Sequence, residues 1–369
     1  MKVVLLVEIN SYHEEVIYPQ IKALISSNEY NTTLLIDSSI LKDNIFEGFG
    51  NRVNMLTVDS ELSIGEKLRY AKRIAKKLKP DLIIFNTAEG ARMVFYINLY
   101  FIRSRNIIRI MHNFLLLEDI PHWKKFILKQ MEDIFRVNIV LSKQVKEYND
   151  KNHIYKNVEY YYNIDYSEFK DDFLSDRDII RIGIQGAVEL KRRDYFRLIE
   201  IAKLLRNNKI HIIKFYIIGN SNSNDGIIIK NLIKENALDD YFIYYNRKLS
   251  YAEYYQLINQ MDFLMPLFNR NSEFYLKYNS TKITSTATLA LAFNKRMLVE
   301  VGSPCFGSDL RDYVIYYDAK HLDIFFDDLI QKRDYYRQNK PQGVKVQDEQ
   351  LRYLRIVEMA LNKSKRVLR

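Results

Sequence analysis

Short, uninterrupted apolar runs recur along this chain, each ending at a polar residue or a glycine. Segments of helical period stand between many of them. The runs at 3–7, 31–36, 81–85, 106–111 and 137–141 form one series, with predicted helices over 14–26 and 64–78. A strand without polar alternation has to be covered on both faces, as in a parallel sheet sandwiched between helices. A second series follows a polar, Tyr-rich stretch at 148–176. Its strands are expected at 179–185, 214–218, 241–245, 263–267 and 297–301, and its helices at 194–207, 224–235, 251–261 and 281–293. Two such series predict an α/β protein of two doubly wound domains facing a cleft. The expected boundaries are 1–165, 166–346 and 347–369, the last carrying an amphipathic helix at 347–362 with Leu351, Leu354, Val357 and Leu361 as its stripe.

Composition removes several function classes. Among 369 residues there is one cysteine, Cys305, which excludes an intramolecular disulfide framework and a Cys-cluster zinc site. The 28 Tyr and 20 Phe exclude a disordered chain. The apolar opening stops at Glu8, too short for a signal segment, and no window approaches the roughly 18 apolar residues of a membrane span. The expected location is therefore cytoplasmic, or peripheral to the inner face of a membrane. A net charge of +10 favours anionic partners. Residues 67–79 hold seven basic side chains and no acid, and 123–129 mixes Trp123 and Phe126 with lysines. Each reads either as a solvated basic face or as an interfacial helix on an anionic membrane.

Ligands of open α/β sheets bind at the carboxyl ends of strands, so the residues there carry the chemistry. After Gln185 come Gly186 and then Lys191, Arg192, Arg193 and Asp194, a glycine turn followed by cations at a helix start. The next strand ends at Gly219, Asn220 and Ser221. A third element, Asn279, Ser280, Thr281 and Lys282, is predicted to cap a helix whose opening is extended by Thr284, Ser285, Thr286 and Thr288. Three anion-competent strand ends in one domain favour a diphosphate-containing ligand.

The order of these elements resembles the donor-binding domain of glycosyltransferases with the GT-B fold, two Rossmann-like domains. The resemblance runs from Ile182-Gly183-Ile184-Gln185-Gly186 and Lys191-Arg192-Arg193 through Phe215–Asn220, Phe242–Asn246 and Tyr254. It ends at Asp262–Leu267 and Leu291–Val299. In the first half it rests on Ile110-Met111-His112-Asn113 and Ile139–Lys143, and Tyr162-Asn163-Ile164-Asp165 resembles the family's linker. It implies a nucleotide-sugar donor, a UDP-sugar first of all. The acceptor would be a glycan or lipid-linked oligosaccharide of bacterial surface polysaccharide synthesis. The final helix would return towards the first domain.

By the same resemblance, Gly186, Lys191, Arg192, Gly219, Asn246, Glu273, Ser280, Thr281 and Lys282 bind the donor, and His112 lies near the transferred sugar. The family's second glutamate has no counterpart: eight residues after Glu273 stands Thr281, and 281–293 contains no acid. Stereochemistry therefore stays open. An inverting transfer needs a base, for which Glu8, His13, Glu14, Glu15 and Glu89 are candidates. No Asp-x-Asp stands in a donor loop. The pairs Asp171-Asp172, Asp239-Asp240 and Asp327-Asp328 read as surface, so neither a metal nor a cofactor is expected. Two alternatives remain. One is a nucleotide-sugar epimerase of the same fold. The other, resting on charge alone, is a nucleic-acid-binding protein. Because the basic residues are scattered and no stacking motif accompanies them, no nucleic acid is expected as partner.

Overall fold

The computed structural model describes residues 1–43, 45–102, 104, 106–112, 131–170, 178–278, 280–303 and 306–362. Asn113, the segment 123–129, Asp171-Asp172, Asn279 and Cys305 lie outside the described residues. The chain divides into two compact units. One comprises Met1–Asp165 together with the final helix, Val346–Asn362; the other is Tyr166–Lys345.

The first unit is built on seven strands: β1 (Lys2–Glu8), β2 (Tyr30–Asp37), β3 (Val53–Val58), β4 (Leu82–Phe85), β5 (Ile107–Met111), β6 (Val137–Val140) and β7 (Val158–Tyr160). All pair in parallel, in the order β3-β2-β1-β4-β5-β6-β7. Val4, Leu5, Leu6, Leu34, Leu35, Ile83 and Ile84 are buried, as strands covered on both faces require. The polar stretch 148–176 does not stand apart from the first unit. The helix Lys143–Asn152 continues through its start, β7 follows, and the chain leaves the unit at Asp165.

The basic segment 67–79 also needs correcting. It lies on the helix Ile64–Leu78, opened by a capping box between Ser63 and Glu66. Its first cation, Lys67, is buried and donates to Asp37 Oδ2 at 2.6 Å. Arg69, Arg73, Lys76, Lys77 and Lys79 are exposed. No helix among the described residues is long and apolar enough to cross a membrane.

The second unit has six parallel strands: β8 (Ile180–Gln185), β9 (Ile213–Asn220), β10 (Phe242–Tyr245), β11 (Phe263–Leu264), β12 (Arg296–Glu300) and β13 (Val314–Tyr317). Their order is β10-β9-β8-β11-β12-β13. The helix expected from Thr281 begins later, as Ser285–Phe293, with Thr284 as its cap. The reason is local. The amides of Thr281 and Lys282 donate to Lys277 O at 2.9 and 3.0 Å, so they close the short helix Glu273–Lys277 rather than opening the next one.

The final helix packs in the first unit, against the helix Glu14–Ser26. Its buried face is Glu349, Tyr353, Ile356, Val357, Ala360 and Leu361, whereas Leu351, expected in the stripe, is exposed. Tyr353 is 1% exposed and its hydroxyl donates to Gln20 Oε1 at 3.0 Å; Glu349 Oε2 accepts from the Tyr162 amide at 2.7 Å. Tyr353→Phe, which leaves the Gln20 carbonyl without that donor, is expected to cost about 1–2 kcal/mol in urea unfolding. Truncation after Arg352 removes most of the apolar face and is expected to give an aggregating or unfolded first unit. A truncated protein with unchanged melting would show the helix to be dispensable.

Candidate functional site

In each sheet one strand is flanked on its two sides by crossovers that run in opposite directions, and such a point leaves a crevice at the carboxyl edge. In the second unit it lies between β8 and β11. There the chain turns at Gly186, whose φ of +96° suits glycine. A Cβ on Gly219 would stand 2.2 Å from Gly186 O, so Gly219 lets the Gly186 turn pack against β9. Arg193 fixes the same turn: its Nη2 donates to Gln185 O and its Nη1 to Pro266 O at 2.8 Å. Around this turn is a cavity of about 100 Å³ lined by Gly186, Arg192, Arg193, Phe268, Tyr278 and Thr284–Thr286. The start of the helix Ser285–Phe293, with its hydroxyls, faces it, an arrangement that suits an anion.

Arg192, which lines this cavity, belongs to a group of cations around Phe274. Lys191, Arg192, Lys277 and Lys282 lie 4.8–5.9 Å from the centroid of the Phe274 ring. Two carboxylates answer them: Glu273 Oε1 pairs with Lys191 at 2.6 Å and Glu189 Oε2 with Arg192 at 2.8 Å. Lys191 holds the exposed Glu273 carboxyl below the usual carboxylate range. Of the expected donor residues, Gly186, Lys191, Arg192, Glu273 and Lys282 are thus brought to one region. Thr281 is buried with its hydroxyl on Lys277 O, and it and Ser280 precede the cap instead of forming it. Gly219 acts in packing. Asn246, after β10, accepts from Lys230 Nζ and, through its carbonyl, from Asn222 Nδ2.

In the first unit the crevice lies between β1 and β4. Glu8 ends β1 with no exposed surface. Its Oε1 accepts from the Asn10 amide and Nδ2, both at 2.8 Å, and its Oε2 from Asn86 Nδ2 at 2.8 Å and Thr87 Oγ1 at 2.6 Å. Burial nevertheless pushes its carboxyl up to about 7. His13, at φ 74° before the helix Glu14–Ser26, stacks on His112 with ring centroids 3.8 Å apart. Burial opposes the His13 cation, but Glu15 at 3.3 Å, Glu8 and Glu89 outweigh it and raise the imidazole above its ordinary value. His112 Nε2 lies 2.9 Å from Asn86 O, and its amide donates to Glu89 Oε1. His13, His112, Glu89 and Glu8 therefore form one cluster, which Glu15 joins through His13. Glu14 occupies the first turn of the adjoining helix, where an acid suits the helix dipole.

Gln185, Tyr254 and Arg193 stand within the motifs of the resemblance, but their roles at this turn escape motif reading. For Gln185 the one signal is a polar residue closing β8.

Neither a family model nor a curated protein matches the sequence. Solved structures do match it along its whole length. The Anabaena protein HepE in complex with UDP and glucose is 10% identical, with a TM-score of 0.65 over 100% of this chain and 99% of that one. A UDP-GlcNAc 2-epimerase from Neisseria meningitidis bound to UDP-GlcNAc is 16% identical, with a TM-score of 0.61 over 98% and 100%. A glycosyltransferase from Rickettsia africae is 11% identical, with a TM-score of 0.60 over 99% and 97%. This chain has the GT-B fold. At these identities the likeness speaks for the fold alone.

The raised Glu8 carboxyl makes a stability prediction. Between about 4.5, its unperturbed value, and about 7 the folded state holds a proton that the unfolded state releases, so its contribution falls as pH rises through that window. Relative to Glu8→Gln, the wild type is expected to lose on the order of 3 kcal/mol between pH 4.5 and pH 8 in urea unfolding. A wild-type-to-variant difference independent of pH would contradict the assignment.

Proposed function

We propose that the chain is a nucleotide-sugar-dependent glycosyltransferase, with a UDP-sugar donor held by the second unit. The observation that carries this is the gathering of Lys191, Arg192, Lys277 and Lys282 around Phe274, beside a crevice closed by the Thr284 cap. Glu273 and Glu189 answer Lys191 and Arg192, and a bound diphosphate adds further charge-assisted partners for the group. UDP and UDP-sugars in structures of the same fold support the choice of nucleotide.

In the transfer, an acceptor oxygen bonds to the anomeric carbon while that carbon's bond to the diphosphate oxygen breaks. UDP leaves with the electron pair. The acceptor's proton passes to a base, for which His13 is our assignment: its side chain is 26% exposed, whereas Glu8 is wholly buried. Glu8, Glu15 and His112 then position and tune it. In this reading neither a metal nor a cofactor takes part, the diphosphate charge being carried by cations and a helix start.

The acceptor we infer is lipid-linked. On the helix Ala91–Phe101 and its cap, Phe95, Leu99 and Ile102 form an apolar ridge, 47%, 57% and 74% exposed. Beside it the helix Ile64–Leu78 carries Arg69, Arg73 and Lys76 outward, the two being joined at Gly65–Tyr96 and Arg69–Tyr100. An apolar ridge flanked by cations matches acyl chains beneath anionic headgroups. Combined Phe95→Ser and Leu99→Ser is expected to abolish cosedimentation with phosphatidylglycerol vesicles. No wild-type binding to such vesicles, in low salt, would refute the lipid assignment.

A second reading keeps a specific support: several structures of this fold are UDP-GlcNAc 2-epimerases, and paired acid–base side chains also suit proton removal and return at a sugar carbon. Incubation with labelled UDP-sugars in deuterated water separates the two. Transferase activity gives label in a lipid extract and free UDP. An epimerised nucleotide-sugar carrying carbon-bound deuterium, with no transfer, would establish the epimerase. In either case Lys191→Ala with Arg192→Ala is expected to weaken UDP binding at least tenfold and leave uridine binding little changed; equal losses would remove the diphosphate from this seat.

A further inference from the structure

Gln185, 1% exposed, spends its side-chain amide on three partners. Its Nε2 donates to Ser285 Oγ at 3.0 Å and to Thr286 Oγ1 at 2.8 Å, and its Oε1 accepts from Tyr254 OH at 2.9 Å. Counting hydrogens decides which way the amide points. As placed, both N–H hydrogens and the carbonyl are matched; turned over, it would offer two N–H hydrogens to one phenol oxygen and strand one in a buried site.

A hydroxyl that accepts from an amide keeps its own hydrogen for another acceptor. Among the described residues neither Ser285 Oγ nor Thr286 Oγ1 donates to a protein acceptor, and both residues line the crevice, Thr286 being 1% exposed. The Gly186 amide, by contrast, is already committed to Ile218 O at 3.0 Å. We propose that Gln185 is the positioning residue of this site. Held by Tyr254, it leaves the Ser285 and Thr286 hydroxyl hydrogens for an acceptor in the crevice, which favours ionised phosphate there. The inference rests on the reading that this crevice receives the nucleotide's diphosphate.

Gln185→Glu reverses the polarity: its carboxylate takes both hydroxyl hydrogens and adds a negative charge, and only its protonated form can donate. By calorimetry at pH 8, this variant is expected to bind UDP at least about 30-fold more weakly than wild type, with uridine affinity by NMR changed less than twofold. The wild-type-to-variant ratio is expected to shrink as the pH is lowered towards 5, which a merely structural defect would not produce. Tyr254→Phe, which removes the amide's anchor without adding charge, is expected to weaken UDP three- to tenfold and decides the matter if Gln185→Glu does not fold. Wild-type protein binding neither UDP nor pyrophosphate overturns the diphosphate reading and this inference with it. Wild-type binding with unchanged UDP affinity in the folded variants, or an equal, pH-independent loss of UDP and uridine, overturns the positioning role alone.

Discussion

Parallel strand pairing is the constraint on which everything else here depends. Every strand pair in both sheets is parallel, so each connection must cross over outside the sheet and all strands of a unit end at the same edge. The strand interiors are largely apolar, and Arg109, a polar side chain buried within β5, meets a polar partner there, Asn138 of β6. Other buried polar groups collect at the carboxyl edge: Glu8, Asp37, Asn86 and Thr87 in one unit, Gln185, Ser221, Thr284 and Thr286 in the other. At the switch points between β1 and β4 and between β8 and β11, that edge opens.

The two crevices solve the same problem with opposite chemistry. In the second unit the backbone turns tightly at Gly186, Gly219 gives it room, and Arg193 ties it to Gln185 and Pro266. The Ser285 and Thr286 hydroxyls line the small volume beside this turn together with Arg192 and Arg193, an arrangement that suits negative charge without a proton transfer. In the first unit a buried carboxyl meets two stacked imidazoles and further acids, with Glu8 raised towards neutrality and His13 above its usual value. Groups poised this way exchange protons near neutral pH.

Much of the fold was legible in the sequence because runs such as 3–7 and 82–85 are buried on both faces and leave an unbroken apolar signature. Several of the elements that escaped lack it. β3 is an edge strand with three exposed residues, the helix Lys143–Asn152 buries only Val145 and Asn149, and the helix Ala91–Phe101 hides its period behind the exposed Phe95 and Leu99. At the site, Lys191, Arg192, Glu273 and Lys282 were legible as charge beside a turn. The true cap was not. Thr281 and Thr284 are equally good capping residues, and only the closing of the helix Glu273–Lys277 by the Thr281 and Lys282 amides chooses between them. Lys67 misled for the converse reason, since its partner Asp37 is 30 residues away in sequence.

The account stands on where the diphosphate lies, and a crystal structure of the protein with UDP tests that most directly. It should show a phosphate within hydrogen-bonding distance of the Ser285 and Thr286 hydroxyls, with Lys191 or Arg192 swung from its glutamate onto the other phosphate. A nucleotide bound away from the Gly186 turn, leaving the Lys191–Glu273 pair and the Ser285 hydroxyl untouched, would contradict it.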